Sequence, residues 1–175
     1  MAIEMRFESM RLIKLLGMIF FCLSVLAAIV FYIHRTGYRI FYQPTPSMKQ
    51  GWYFVTPPKH FMRGAIVVFT PPTKTLHFLY QHHWVPNSGL LMKRIVAAPG
   101  DRVCVKQGRV WINHRKFASV YRYYAPHRAL PQNDFCGILP TNYYFLMSTR
   151  VRRSFDSRYF GPISAKAIVG NAYSF

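Results

Sequence analysis

The sequence predicts a mostly β domain carried behind one N-terminal membrane-spanning helix. Leu15 to Ile33, "LLGMIFFCLSVLAAIVFYI", contains no formal charge; as a helix it extends about 28 Å, close to the hydrocarbon thickness of a bilayer. Beyond Arg35 the pattern changes to short apolar runs punctuated by proline and glycine, the signature of strands and tight turns. Hydrophobic residues make up 51% of the chain and aromatic residues 17%, which excludes a disordered chain and supplies a core.

Taken in order, residues 1–14 are expected to form a cytoplasmic N-terminal segment, 15–33 the anchor, and 34–175 one domain on the far side of the membrane. Arg6, Arg11 and Lys14 precede the apolar run while His34, Arg35 and Arg39 follow it, so the positive-inside rule leans toward a cytoplasmic N-terminus. Cleavage as a signal peptide near Val25-Leu26-Ala27 is the competing reading; the apolar run continues through Ile33, which suits an uncleaved anchor better. Strands are expected at Trp52 to Val55, Ala65 to Phe69, Met92 to Ala97, Arg102 to Val105, Arg109 to Ile112, Tyr143 to Met147 and Ile168 to Ala172. The link "KQGR" reads as a hairpin with Gly108 in the left-handed region. "PPTKTLHFLYQHH", Pro71 to His83, reads as a short helix capped near Thr73, with Leu76, Leu79, Tyr80 and His83 on one side.

The charge balance narrows the chemistry. Lys and Arg number 23 against five acids, for a formal net charge of +18, so the surface suits anionic headgroups or other polyanions. Past the anchor the acids are Asp101, Asp134 and Asp156, too few for a carboxylate-bound metal or a two-carboxylate hydrolase. No metal site and no cofactor is expected. Seven histidines leave a Ser-His-Asp triad open, although His82-His83 is better read as a polar helix end. The other way to activate a serine is a neutral lysine amine, and "LLMKRIVAAPGDRV" sets Lys93 inside an apolar run. A base working near neutrality needs its amine lowered by about three units, on the order of 4 kcal/mol. From spacing alone a lone strand lysine reads as a snorkelling surface residue, and Arg94 leaves the alternation ambiguous.

Cys22 lies within the apolar run and reads as a packing residue. Cys104 and Cys136 allow one pairing in the soluble part, closing a loop worth roughly 3–4 kcal/mol in an oxidising compartment. Two buried free thiols are the alternative.

Three separated blocks resemble those of type I signal peptidases: "TPSM", "MKRIVAAPGDRV" and "SFDSRYFGPISAKAIVG". They run from Thr45 to Gly170 in the family's order, behind an anchor. Within that superfamily, "TPSM", the following "GWY" and "SFDSRYFGP" are most similar to the conjugation maturation peptidases of the TraF group. The resemblance implies a Ser-Lys peptidase with a signal peptidase-type β-rich catalytic domain, anchored in the bacterial inner membrane and facing the periplasm. It puts Ser47 at the nucleophile, Lys93 at the general base and Asp156 at the acidic position of the last block. Thr45 falls where the family carries a hydroxyl that assists the oxyanion hole, and Ser154 where a serine orients the lysine. Beside Arg158, Asp156 reads more readily as a structural ion pair with a catalytic contribution second; Arg158, Asp101 and Arg102 are given structural roles.

One stretch departs from the family. Secretory signal peptidases carry Gly-Asp-Asn-Arg ahead of the last block, whereas this chain has Ser148-Thr149-Arg150-Val151. That weakens a general leader-peptidase reading and agrees with the conjugation branch, whose substrate is a membrane-embedded pilin precursor, resolved by the pilin's own amine to a circular product. The remaining reading is a basic, non-catalytic membrane or DNA-binding component of a transfer apparatus. Lys and Arg are scattered through the chain and form no stripe with interleaved aromatics, so no specific nucleic acid is expected. The expected partners are the pilin precursor, or another preprotein, and the lipid bilayer. Met48 is expected to rest on the bilayer surface and Gly51 to let the backbone turn beside a bound peptide.

Overall fold

The computed structural model describes residues 2–58 and 60–175, with all of their side chains except those of 2–10, 12 and 34. Arg6 and His34, and the two acids that precede the anchor, Glu4 and Glu8, therefore lie outside the described side chains. The chain divides into two compact units, Met1–Tyr38 and Arg39–Phe175.

The first unit is one helix, α1 (Ala2–Thr36). Its stretch Ile13–Ile33 is long and apolar enough to cross a membrane, and the described side chains there are exposed. That stretch ends at Ile33, the residue at which the sequence reading ends the anchor, and the helix itself continues to Thr36.

The second unit is mostly β, as predicted. Its strands are β1 (Arg39–Gln43), β2 (Gly51–Thr56), β3 (Ile66–Phe69), β4 (Leu91–Ala97), β5 (Arg102–Lys106), β6 (Arg109–Ile112), β7 (Arg115–Ser119), β8 (Tyr123–Ala125), β9 (Arg128–Ala129), β10 (Cys136–Ile138), β11 (Tyr143–Met147), β12 (Ile163–Ser164) and β13 (Ile168–Ser174). A seven-stranded sheet runs β1-β2-β13-β3-β4-β11-β12, antiparallel throughout. A second, four-stranded sheet runs β10-β5-β6-β7, and β8 pairs with β9.

All seven predicted strands form. The "KQGR" hairpin joins β5 to β6 with both Gln107 (φ 52°) and Gly108 (φ 70°) left-handed, the pair of positive φ values a type I′ turn requires. Helix α2 (Thr73–Gln81) is shorter than the predicted 71–83. Its N-cap is Pro72, with no side-chain cap. Its buried face is also rotated from the predicted one: Thr75 and Leu79 are buried while Tyr80 and His83 are exposed. The cause is what the helix packs on, since Phe78 stacks against Phe155 at 5.4 Å and Trp84 meets Phe155 at 5.9 Å.

Three apolar clusters hold the unit together. One places Val67, Phe69, Leu79, Leu91, Ile95 and Leu146 under α2. A second joins the two sheets through Val96, Ala97, Val103, Val110, Phe145 and Met147. The third packs Met48, Tyr53, Val55, Val68, Met92 and Ala172 beneath the β1–β2 loop. The third corrects the expectation for Met48, which is 2% exposed and serves as an anchor of that loop, unavailable to a bilayer. Asp101 fixes the turn from β4 into β5: it accepts from the Ala98 amide at 2.8 Å and from Asn113 Nδ2 at 2.8 Å, and it pairs with Arg63. Arg102 is exposed and takes part through its backbone, which exchanges hydrogen bonds with Asn113. The sulfurs of Cys104 and Cys136 are bonded between facing positions of β5 and β10.

Candidate active site

β1 ends at Gln43 and β2 begins at Gly51, so the segment "PTPSMKQ" must reverse the chain between two paired strands. Gln50 Nε2 donates to the Pro44 carbonyl at 2.7 Å, closing the loop at its base. Buried Met48 pins it from below. Gly51 has φ 133° with nothing within 4 Å of a would-be Cβ, so the backbone angle, and not close approach, calls for glycine. The loop holds the Ser47 side chain half-buried at its turn.

Gln43 is buried and organises the hydroxyls. Its Nε2 donates to the Thr45 carbonyl at 2.9 Å and to Thr45 Oγ1 at 2.6 Å, and reaches Ser47 Oγ at 3.4 Å. Thr45 Oγ1 lies 3.1 Å from Ser47 Oγ. Either hydroxyl can donate across that contact; when Ser47 is the donor, the Thr45 proton is available to an outside acceptor.

Lys93 comes from the middle of β4, between β3 and β11, paired with Val67. Its flanking partners on the same side of the strand, Leu91 and Ile95, belong to the main apolar cluster. Arg94 points the other way and donates to the Gly64 carbonyl, which resolves the alternation. Lys93 is 4% exposed, so it is no snorkelling surface residue. Its Nζ donates to Ser47 Oγ at 2.9 Å across 46 residues of chain. Burial pushes the amine down to about 8; the Asp156 carboxylate pulls it up and the Arg158 guanidinium pushes it down, both less than burial does.

The last block supplies the floor. Asp156 and Arg158 are fully buried and joined twice, Nε to Oδ1 and Nη2 to Oδ2, both at 2.8 Å. Arg158 also donates to the carbonyls of Ser119, Arg152 and Ser154. The Ser148 amide donates to Asp156 Oδ2 at 3.0 Å. The local sequence explains the geometry: Asp156 caps the short helix α3 (Ser157–Phe160), accepting from the Arg158 amide, and Gly161 (φ 82°) ends it. Ser157 Oγ accepts from the Leu146 amide at 3.0 Å, where the β11–β4 register shifts.

Of the residues singled out in the sequence, Ser47, Lys93, Thr45 and Asp156 come together. Ser154 does not join them as expected. It is buried, but its Oγ has no hydrogen-bond partner in the structure, and only its carbonyl is used, by Arg158. Two residues were missed. Ser148 Oγ donates to the Ser47 carbonyl at 2.5 Å and accepts from the amides of Arg150 and Val151. Gln43 is the other. Ser148 lay inside the stretch noted for departing from the family; Gln43 carried no signal beyond closing a strand-like "RIFYQ".

These positions can be compared with known proteins. The chain is 31% identical over 112 residues to the probable signal peptidase I-2 of Synechocystis, covering 63% of this chain and 46% of that protein. It is 30% identical over 125 residues to the plasmid transfer protein TraF of Escherichia coli, covering 61% and 66%. Against the probable conjugal transfer protein TraF of Sinorhizobium fredii the identity is 33% over 145 residues, covering 78% and 75%. The chain thus spans about half the length of the first and about two thirds of the second. The family described as signal peptidase, peptidase S26, matches residues 10–175, from within the N-terminal helix to the last residue and across every group described above; the chain belongs to that family.

Proposed function

We propose that the protein is a membrane-anchored serine endopeptidase in which Ser47 is the nucleophile and Lys93 the general base. The observation that carries this reading is the 2.9 Å contact between Ser47 Oγ and a buried lysine amine lowered to about 8. As Ser47 Oγ attacks a peptide carbonyl carbon, its proton passes to Lys93 Nζ. The Ser47 amide and the Thr45 hydroxyl stabilise the oxyanion. The C–N bond then breaks, and the departing amine takes the proton from the Lys93 ammonium. A second nucleophile attacks the ester, Lys93 accepts its proton, and that proton returns to Ser47 Oγ. Gln43 sets the Thr45 hydroxyl, and Ser148 fixes the Ser47 carbonyl so that the loop keeps its geometry through both steps. Asp156 acts through structure: bonded twice to Arg158, it holds the last block against Ser148.

The substrate in this reading is a membrane-embedded pilin precursor of a conjugative system. The names of two relatives, tied to plasmid and conjugal transfer, support it, as do the blocks of the TraF group. The N-terminus lies in the cytoplasm and the catalytic unit in the periplasm of the inner membrane. The second nucleophile is the pilin's own N-terminal amine, which needs only to be held near the ester in place of water. Ser47→Ala and Lys93→Ala should each abolish processing by folded, membrane-bound protein, because removing either half of such a pair costs nearly as much as removing both. Retained activity in Lys93→Ala would transfer the base role to a histidine. Intact mass of the mature pilin tests cyclisation: a product lighter by one water supports it, and the mass of a hydrolysed linear chain refutes it.

A further inference from the structure

A cavity of about 350 Å³ has a lining that includes Lys116, Ser119, Tyr121, Ser148, Arg152 and Arg158. That volume falls at the small end of ligand pockets. Its wall begins one residue from the nucleophile, since Ser148 is the residue whose Oγ holds the Ser47 carbonyl. Its floor is Arg158, already bonded to Asp156 and to three carbonyls. At its mouth Lys116 and Arg152 are exposed, and next to it Arg153 sits 4.9 Å over the Tyr121 ring.

Among the described residues, no carboxylate is paired with Lys116, Arg152 or Arg153. The unit's only acids are Asp101, Asp134 and Asp156. Asp101 is paired with Arg63 and Asp156 with Arg158, and Asp134 lines a different cavity, with Lys106 and Gln107. A concave site with cations at its mouth and no carboxylate to answer them favours an anion brought from outside.

We propose that this pocket is a substrate subsite for a carboxylate held close to the scissile bond. The carboxylate is either an acidic side chain of the bound peptide or its free C-terminus. The inference rests on the peptidase reading above and adds to it which peptides the enzyme prefers.

The test uses the full-length protein in detergent micelles with internally quenched decapeptides built around an Ala-x-Ala site. Glu or Gln is placed at one position at a time, and each peptide is made with a free and with an amidated C-terminus. A Glu, or the free terminus, at one position should raise kcat/KM about tenfold, the scale of one charge-assisted contact. The free and amidated arms tell the two carboxylate sources apart. In Lys116→Gln/Arg152→Gln that preference should fall to near one, while Lys166→Gln, at an exposed residue that does not line the cavity, retains it. No preference at any position, or a preference that survives in the double variant, overturns the proposal. Absence of Ser47-dependent cleavage would instead sink the peptidase reading. Fluorescence anisotropy of the same peptides on Ser47→Ala then decides the subsite separately: tighter binding of the carboxylate peptides, lost in Lys116→Gln/Arg152→Gln, supports it, and equal binding overturns it.

Discussion

Replacing Lys93 by methionine, a side chain of similar length with no charge, should stabilise the protein while abolishing activity. In the folded protein burial lowers the amine from 10.5 to about 8, a gap of about 2.5 units or roughly 3 kcal/mol. Lys93 is 4% exposed, so solvent screening takes little from that figure. The sign follows from proton counting. Between about pH 8 and pH 10.5 the unfolded chain holds a proton that the folded protein has released, so stability climbs as pH rises through this window. Below pH 8 both states are protonated and the folded protein bears the full cost of a buried ammonium. Losing the hydrogen bond to Ser47 gives back about 1 kcal/mol. Lys93→Met should therefore exceed the wild type by about 2 kcal/mol at pH 7, with the advantage shrinking by about 1 kcal/mol by pH 9.

Denaturant melts of both proteins in the same micelles, followed by tryptophan fluorescence from pH 7 to 10, measure that difference directly. Other titrating groups cancel in the subtraction. The wild-type kcat/KM should rise about tenfold over pH 7 to 9, because the neutral fraction of an amine near 8 goes from about one in ten to about nine in ten. A stability difference that stays constant across this range, or a rate that is flat through pH 8, refutes the assignment of a buried, depressed lysine base.

Three further outcomes follow from the packing. Gly170→Ala should cost about 3 kcal/mol, because a Cβ there would lie 1.9 Å from the Thr56 carbonyl oxygen in a sheet strand that cannot move aside; an unchanged melting temperature contradicts the close approach of β13 to β2. Cys104→Ser/Cys136→Ser should lose about 3–4 kcal/mol for the 32-residue separation, and non-reducing peptide mapping of the wild type should recover the two cysteines in one linked pair, with freely alkylated thiols as the contrary result. Ser148→Ala releases the Ser47 carbonyl and should lower kcat by about 10–100-fold with a smaller effect on KM; an equal loss in both would point to substrate binding instead.

Seven of the thirteen strands were legible because each is a short apolar run closed by a turn residue; β1, β7, β8, β9, β10 and β12 were not foreseen. What stayed hidden depended on distance. β10, "CGI", is three residues long and exists because Cys136 faces Cys104 on β5; no local pattern announces such a strand. α2 could be seen as a helix, yet its buried face was set by Phe155 on the far side of the chain. In the site, Ser47, Lys93 and Asp156 stood out through their blocks. Gln43 and Ser148 act through a side-chain amide and a hydroxyl on neighbouring backbone, roles that any polar residue in a loop could have. Ser154 shows the converse, a residue placed by its block whose hydroxyl finds no partner.

The scarcity of acids has a direct consequence for Lys93. A carboxylate free to approach the amine would favour the ammonium and hold its titration well above neutrality. The one carboxylate that acts on Lys93 is Asp156, and its pull is opposed by Arg158, to which it is bonded through both oxygens. What remains is burial between Leu91 and Ile95 in the middle of β4, and burial lowers the amine. Arg158 thus serves two ends with one geometry: it completes the hydrogen bonds of a fully buried carboxylate, and it keeps that carboxylate from pinning Lys93 in its charged form. Arg158→Met would break both, leaving an unpaired buried Asp156 at a cost of about 3–5 kcal/mol. Arg158→Lys, which keeps the charge but cannot make two parallel bonds, separates the two ends. It should fold, and its kcat/KM profile should shift to higher pH as Asp156 turns toward Lys93. A profile that stays in place in folded Arg158→Lys would show that burial alone sets the base.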